Sequence, residues 1–276
     1  MLGRPSAASA VAPVLRGFGD AAHAAYRADG GDLSWCALRA ATVAGVRHRL
    51  AGETSEDAFA WESAGDRVAV AVCDGLGSVP GSAAAAGRAA AAAVSAAIVD
   101  PGAAVGAART GVRAANEAAA GGGATTVVVA VIDRDGRAGL ARVGDSTAFA
   151  VGAGASRARE LFAAPAEEGL VGTGTAALPS DRPDAETAEM TLAPGSVLLL
   201  VSDGVADPWR DGPGTVAPAF EELLAAPPGP LELARLADFS RQGCHDDRTL
   251  LGVWVAHRGA PARNDTGAPG HPGAFG

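Results

Sequence analysis

Apolar positions along the chain follow two rhythms. Short apolar or β-branched runs, bounded by Gly, Asp or Pro, predict strands at 34–44, 58–63, 68–73, 125–132, 138–143, 147–151, 186–192, 197–201 and 249–255. Two long Ala-rich segments, 82–99 and 103–119, follow the third strand with no strand between them, and predict an antiparallel helix pair. Shorter helices are predicted at 217–224 and 231–241. Strands cluster, then helices, then strands again. That order predicts an α+β fold with antiparallel sheets and helices outside them, because a parallel α/β sheet needs regular alternation.

The ends of the chain break both rhythms. Residues 1–32 are rich in Ala and Gly with poor periodicity, and are expected to form a mobile arm with a short helix near 20–27. Residues 258–276 are rich in Pro and Gly and are expected to be a disordered tail, leaving 33–257 as the one folded domain. The Gly/Pro-rich stretch 164–184 predicts a surface loop or flap.

Composition narrows the chemistry. All 22 basic residues are arginine, which removes every site built on a lysine, including Walker-type phosphate loops, kinase strand lysines and pyridoxal Schiff bases. A net charge of −9 argues against a nucleic-acid binder but leaves room for acidic sites that hold hard cations. Aromatics are only 4%, so the core must be mostly Ala, Val and Leu. Three cysteines, Cys36, Cys73 and Cys244, have neither metal-ligand spacing nor a disulfide framework, so a reduced, cytoplasmic setting is expected. The Ala-rich stretch 83–99 is cut by Arg88 and is not expected to span a membrane. Pro5 and Pro13 bracket a weak apolar run at the start, which argues against a signal peptide. A monomer is expected.

Acidic residues recur at strand ends. Apolar strands end in Asp74-Gly75, in Ser202-Asp203-Gly204 and in Gly144-Asp145-Ser146. Asp246-Asp247-Arg248-Thr249 precedes a strand, as does Ser55-Glu56-Asp57. A buried strand is a rigid post, so a carboxylate at its end leaves the core at a defined position. Several such posts can bring their carboxylates together, where they repel and raise one another's pKa unless a cation neutralises them. Hard oxygen donors with little His or Cys nearby favour Mg²⁺ or Mn²⁺ over zinc. Singly, each site has a plain structural explanation, since Asp-Gly is a common turn.

Taken together and in order, the blocks Glu56-Asp57-Ala58, Asp74-Gly75-Leu76-Gly77-Ser78, Gly123-Ala124-Thr125-Thr126, Gly144-Asp145-Ser146, Ser202-Asp203-Gly204 and Asp246-Asp247-Arg248-Thr249 resemble the metal-dependent serine/threonine protein phosphatases of the protein phosphatase 2C class. The resemblance covers about 37–255, and the stretch 45–52 with His48 resembles a bacterial subgroup. It implies a four-layer αββα sandwich: two antiparallel sheets face to face with helix pairs outside. It implies that Asp74 bridges two ions with the Gly75 carbonyl on one of them, and that Asp203 and Asp246 complete the other. Glu56 would hold a metal-bound water, and Asp145 with Asp203 matches the place of a third, weaker ion. The implied reaction is hydrolysis of phosphoserine or phosphothreonine in a protein substrate by a metal-activated water.

Three positions depart from the family pattern. Gly52 stands where the family has a phosphate-holding arginine, and Arg47, His48 or Arg49 is the candidate replacement. Leu76 stands where eukaryotic relatives have a histidine proposed as general acid, which makes His48 a candidate catalytic residue. The family's Asp-Asn pair is Asp246-Asp247 here, and Asp247 is expected either to hydrogen-bond the site or simply to cap. These departures keep two other functions open: a non-catalytic phosphatase-like binding module, and a phosphatase of small phosphorylated metabolites.

Overall fold

The computed structural model of the chain describes residues 16–19, 25–153, 158–162, 175–210, 218, 220, 224–239 and 243–256. Two six-stranded sheets, paired antiparallel throughout, form its centre. The first runs β1 (Arg16–Gly19), β4 (Ala58–Ala64), β5 (Arg67–Cys73), β6 (Val127–Asp133), β7 (Arg137–Val143) and β10 (Glu186–Thr191). The second runs β2 (Tyr26–Asp32), β3 (Cys36–Val43), β12 (Arg248–Val255), β11 (Val197–Val201), β8 (Thr147–Val151) and β9 (Arg159–Glu160).

Side-chain size sorts the layers. In β5 the odd and even positions face opposite ways. Val68, Val70 and Val72 meet Phe59, Ile132, Leu198 and Leu251 in the core between the sheets. Ala69, Ala71 and Cys73 face outward, beneath α2 (Ser82–Val99) and α3 (Ala104–Ala119). Alanine on both surfaces lets the helices lie close. A Cβ on Gly139 would fall 2.0 Å from the backbone nitrogen of Val105, so α3 touches the sheet there. On the other side, Val43, Leu199, Leu250 and Trp254 pack against Trp209 of α4 (Asp203–Arg210) and Leu233 and Ala237 of α5 (Pro230–Ala237). The expected α+β sandwich is therefore the observed one. Among the described residues α2 is the one helix long and apolar enough to cross a membrane, and its Ala85, Ala86, Ala89, Ala90, Ala93 and Ala97 are buried in this helix–sheet layer.

Several expectations need correction. Residues from Tyr26 onward are no arm and no helix: β2 pairs with β3 along its whole length, and β1 pairs with β4. Its Gly30-Gly31 hid the strand, but Gly31 leaves room for the Trp61 ring, which a Cβ there would meet at 2.8 Å. The stretch after β3 forms a short helix, α1 (Val46–Ala51), so Arg47, His48 and Arg49 are helical. α4 was not anticipated, because Pro208 lies inside it and masks its helical character. Of the expected surface flap 164–184, residues 175–184 are described, and Leu178 there is buried and bridges Thr125; residues 164–174 lie outside the described residues, as do most of the expected helix 217–224 and the tail 258–276.

Candidate active site

The acidic residues gather at one end of the sandwich. β5 delivers Asp74 from the first sheet, and β11 and β12 bring Asp203 and Asp246-Asp247 from the second. The turn before β4 adds Glu56 and Asp57. The backbone of Asp74 is fastened from behind: its carbonyl accepts from Thr126 N–H and Thr125 Oγ1, both at 2.8 Å. Thr126 Oγ1 in turn shares a 2.7 Å hydrogen bond with Ser146 Oγ. Thr125 and Thr126, with Ser146 of the Gly144-Asp145-Ser146 block, thus set the strand end that carries Asp74.

Arg47, His48, Glu56, Asp74, Gly75, Gly77, Ser78, Asp246 and Asp247 line a cavity of about 310 Å³. Gly77 forms its floor, where a Cβ would lie 2.9 Å from Glu56 Oε2 and 3.1 Å from Arg47 Nη2. The guanidinium of Arg47 therefore stands over the cavity beside Glu56. Arg49 does not join it. That arginine, expected as a second phosphate ligand, makes an ion pair with Asp238 at 3.1 Å and donates to Tyr26 Oη at 2.7 Å. On a helix, neighbours two apart face different directions. Gly52, at the position of the family's arginine, closes α1 with φ +69°, a left-handed conformation that a longer side chain would strain.

The carboxylates crowd one another. Burial, with the Asp57 and Asp203 carboxylates beside it, pushes Asp74 well above the usual carboxylate range. Burial pushes Asp203 up to about 6; Asp246 and Asp145 add to the rise, and a hydrogen bond with Asp74 opposes it. Burial also raises Glu56, with His48 and Arg47 pulling the other way. Asp57 is raised by burial and by Asp247, even though Ser202 Oγ donates to its Oδ2 at 2.7 Å. One oxygen each of Asp57 and Asp203 is buried with no hydrogen-bond partner. Asp145 sits at the flank, where Thr175 Oγ1 donates to it at 2.9 Å.

Among the described residues, no three His, Cys, Asp or Glu side chains converge closely enough to enclose an ion by themselves. The donor set nevertheless fits a hard divalent cation. Its carboxylates offer hard oxygen donors, they are crowded enough to resist ionising, and the orphaned Asp203 oxygen lacks the partner that a cation would supply.

Two residues gained meaning that the sequence did not reveal. Asp57 belonged to the acidic block but had no role; it is a buried tie between the β4 entrance and Ser202. Asp247 had two alternatives, and the hydrogen-bonding one is observed: it accepts from Gly45 N–H, Glu56 N–H and His48 Nδ1. The available signal was the acid in place of asparagine.

Known proteins agree with this architecture. The chain superposes on RsbX in complex with magnesium with a TM-score of 0.60 at 13% identity, covering 83% of this chain and 100% of that one. The Mycobacterium tuberculosis serine/threonine phosphatase PstP matches with a TM-score of 0.58 at 21% identity over 81% of this chain and 100% of its own. The PstP catalytic domain in complex with two manganese ions matches at 0.59 and 20% identity over 89% and 100%. At such identities these likenesses establish the fold. No curated protein matches the sequence. The family itself comes from the sequence: a model of protein phosphatase 2C matches residues 44–239, most of the chain and all but one of the acidic blocks around the cavity, and the chain belongs to the protein phosphatase 2C family.

Proposed function

We propose that the chain is a divalent-metal-dependent phosphatase that removes phosphate from phosphoserine and phosphothreonine in proteins, working in the cytoplasm as a monomer. The observation that carries this reading is the crowded carboxylate pair of Asp74 and Asp203: one Asp203 oxygen is buried without a partner, and Asp74 lines a cavity beside the Arg47 guanidinium. Asp74, Asp203 and Asp246, with the Gly75 carbonyl, would hold two Mg²⁺ or Mn²⁺ ions, and Asp145 a third, weaker one. Bound there, such ions supply Lewis-acid activation of water and neutralise phosphoryl charge. Glu56 accepts a hydrogen bond from the attacking water and aims it. Arg47 grips the phosphoryl oxygens through its fork of N–H donors, taking the part that Gly52 cannot play. His48, facing the same cavity, serves the leaving oxygen. The catalytic unit takes in both sheets, from β1 to β12.

A binding module without turnover is the second reading, motivated by Gly52 and by carboxylates that, among the described residues, do not close on one point. Two measurements decide. Purified protein should hydrolyse p-nitrophenyl phosphate with Mn²⁺ and stop with chelator, and calorimetry should show two Mn²⁺ ions bound. Folded protein that turns over nothing and binds no Mn²⁺ overturns the enzyme reading. Phosphopeptides set against sugar and nucleotide phosphates separate a protein substrate from a metabolite.

A further inference from the structure

Asp247 is bonded unlike any other carboxylate in the cavity. It is 4% exposed, yet it binds three N–H donors from three places in the chain. Its Oδ1 accepts from Gly45 N–H at 2.6 Å, where α1 begins. Its Oδ2 accepts from Glu56 N–H at 2.5 Å, at the entrance to β4. His48 Nδ1 lies between, 2.9 Å from Oδ1 and 3.0 Å from Oδ2. A carboxylate only accepts, so this contact places the hydrogen on Nδ1 and leaves Nε2 to face the cavity. There Nε2 stands 3.8 Å from Glu56 Oε2, too far for a direct hydrogen bond. Two polar atoms at that spacing, on the wall of an open cavity, are set to share a third atom between them.

This bonding also explains why the residue is an acid. Asparagine offers one acceptor oxygen and an NH₂. Whichever way it is turned, the NH₂ meets a backbone N–H of Gly45 or Glu56 that has nowhere else to point. Both carboxylate oxygens are needed, and glutamate is one carbon too long for so enclosed a site.

Resting on the phosphatase reading above, we propose that Asp247 is a positioning residue for phosphoester hydrolysis: it holds the His48 imidazole and the Glu56 backbone at a spacing that fits one water, donating to both His48 Nε2 and Glu56 Oε2. Asp247 touches no substrate. It acts through His48 and Glu56, and it fixes the start of α1, the helix that also carries Arg47.

The test uses the full chain with Mn²⁺ and p-nitrophenyl phosphate. Asp247→Asn should lower kcat about 10- to 100-fold, as loss of an orienting partner at a metal site does. KM should stay within about twofold, since no ground-state contact to the substrate is lost, and calorimetry should still count two Mn²⁺ ions. His48→Asn keeps an N–H near the place of Nδ1 to satisfy Asp247 and deletes the cavity-facing nitrogen alone. It should fold with an unchanged melting temperature and lose kcat to a similar degree. The double variant should be no slower than the slower single one, because both remove one unit. Full kcat in either single variant overturns the proposal, and so do strictly multiplicative losses in the double. If Asp247→Asn does not fold, His48→Asn decides by itself on the same criterion. Wild-type protein without any Mn²⁺-dependent turnover overturns the phosphatase reading, and the positioning role with it; turnover with an undisturbed Asp247→Asn variant overturns the positioning role alone.

Discussion

Asp203 and Asp247 stand at two corners of one acidic cluster, both brought there by the second sheet, and they are treated in opposite ways. Asp247 has both oxygens taken up by N–H groups at 2.5 to 3.0 Å. Asp203 has one buried oxygen with no partner, and its neighbours are other carboxylates. Burying a charge costs several kcal/mol unless something compensates it. At Asp247 the chain itself supplies the compensation, so that corner is finished when the protein folds. At Asp203 the compensation must come from outside. The hydrogen-bonding of a buried carboxylate thus separates a framework residue from one that awaits a cation, although the two types look alike in a count of acidic residues.

The contrast can be broken most forcefully at Asp74, the centre of the unfinished corner. Asp74→Ala should abolish Mn²⁺-dependent hydrolysis of p-nitrophenyl phosphate, a loss beyond the ~10- to 100-fold expected of outer partners such as Asp247. Residual activity close to that of Asp247→Asn would erase the distinction between the two corners. Next in size is Arg47, whose charge-assisted bonds to a phosphoryl group are worth about 1.5 to 3 kcal/mol when formed. Because Arg47 is solvent-exposed, Arg47→Ala should sit at the lower end, raising KM about 10-fold, which initial rates across substrate concentrations will show.

A third expectation concerns pH. Asp203 rises from its ordinary 3.8 to about 6 on folding, so the folded protein keeps a proton that the unfolded chain has released. Stability of metal-free protein is therefore highest below pH 4 as far as this group is concerned, and it falls as pH climbs through 6. With a discount for the part of Asp203 that solvent reaches, the effect is about 1 to 2 kcal/mol. Melts in chelator should give a higher melting temperature at pH 5 than at pH 7.5, and Mn²⁺ should raise the melting temperature more at the higher pH, where protons compete less. The opposite order would show that the corner is not under-compensated. The smallest effect belongs to Arg49. Arg49→Ala breaks an ion pair with Asp238 at the surface and should cost less than ~1 kcal/mol, with KM unchanged. A rise in KM matching that of Arg47→Ala would return Arg49 to the phosphate.

Most strands were legible because the sheets are buried on both faces. Residues 68–73 and 197–201 are continuous apolar runs, and nothing else a short run of that composition could form would bury it as well. β2 was not legible, since Tyr26–Asp32 is an edge strand of polar and glycine residues whose pairing is supplied by β3. α1 was not legible either, because six residues carry too little periodicity to reveal a helix. The family's acidic blocks were readable as a set. The separation of Arg47 from Arg49 was not, because it depends on which side of α1 faces the cavity.

By itself, then, the sequence determined the layers and the strand ends: hydrophobic runs of the right length must be buried, and the Asp residues that follow them must emerge where the strands stop. The tertiary structure decided what each of those residues does. Whether a carboxylate meets N–H groups or other carboxylates depends on neighbours up to about 200 positions away along the chain, such as Gly45 and His48 around Asp247. Hydrogen bonds act over about 3 Å, and only the folded backbone brings such distant donors within that range.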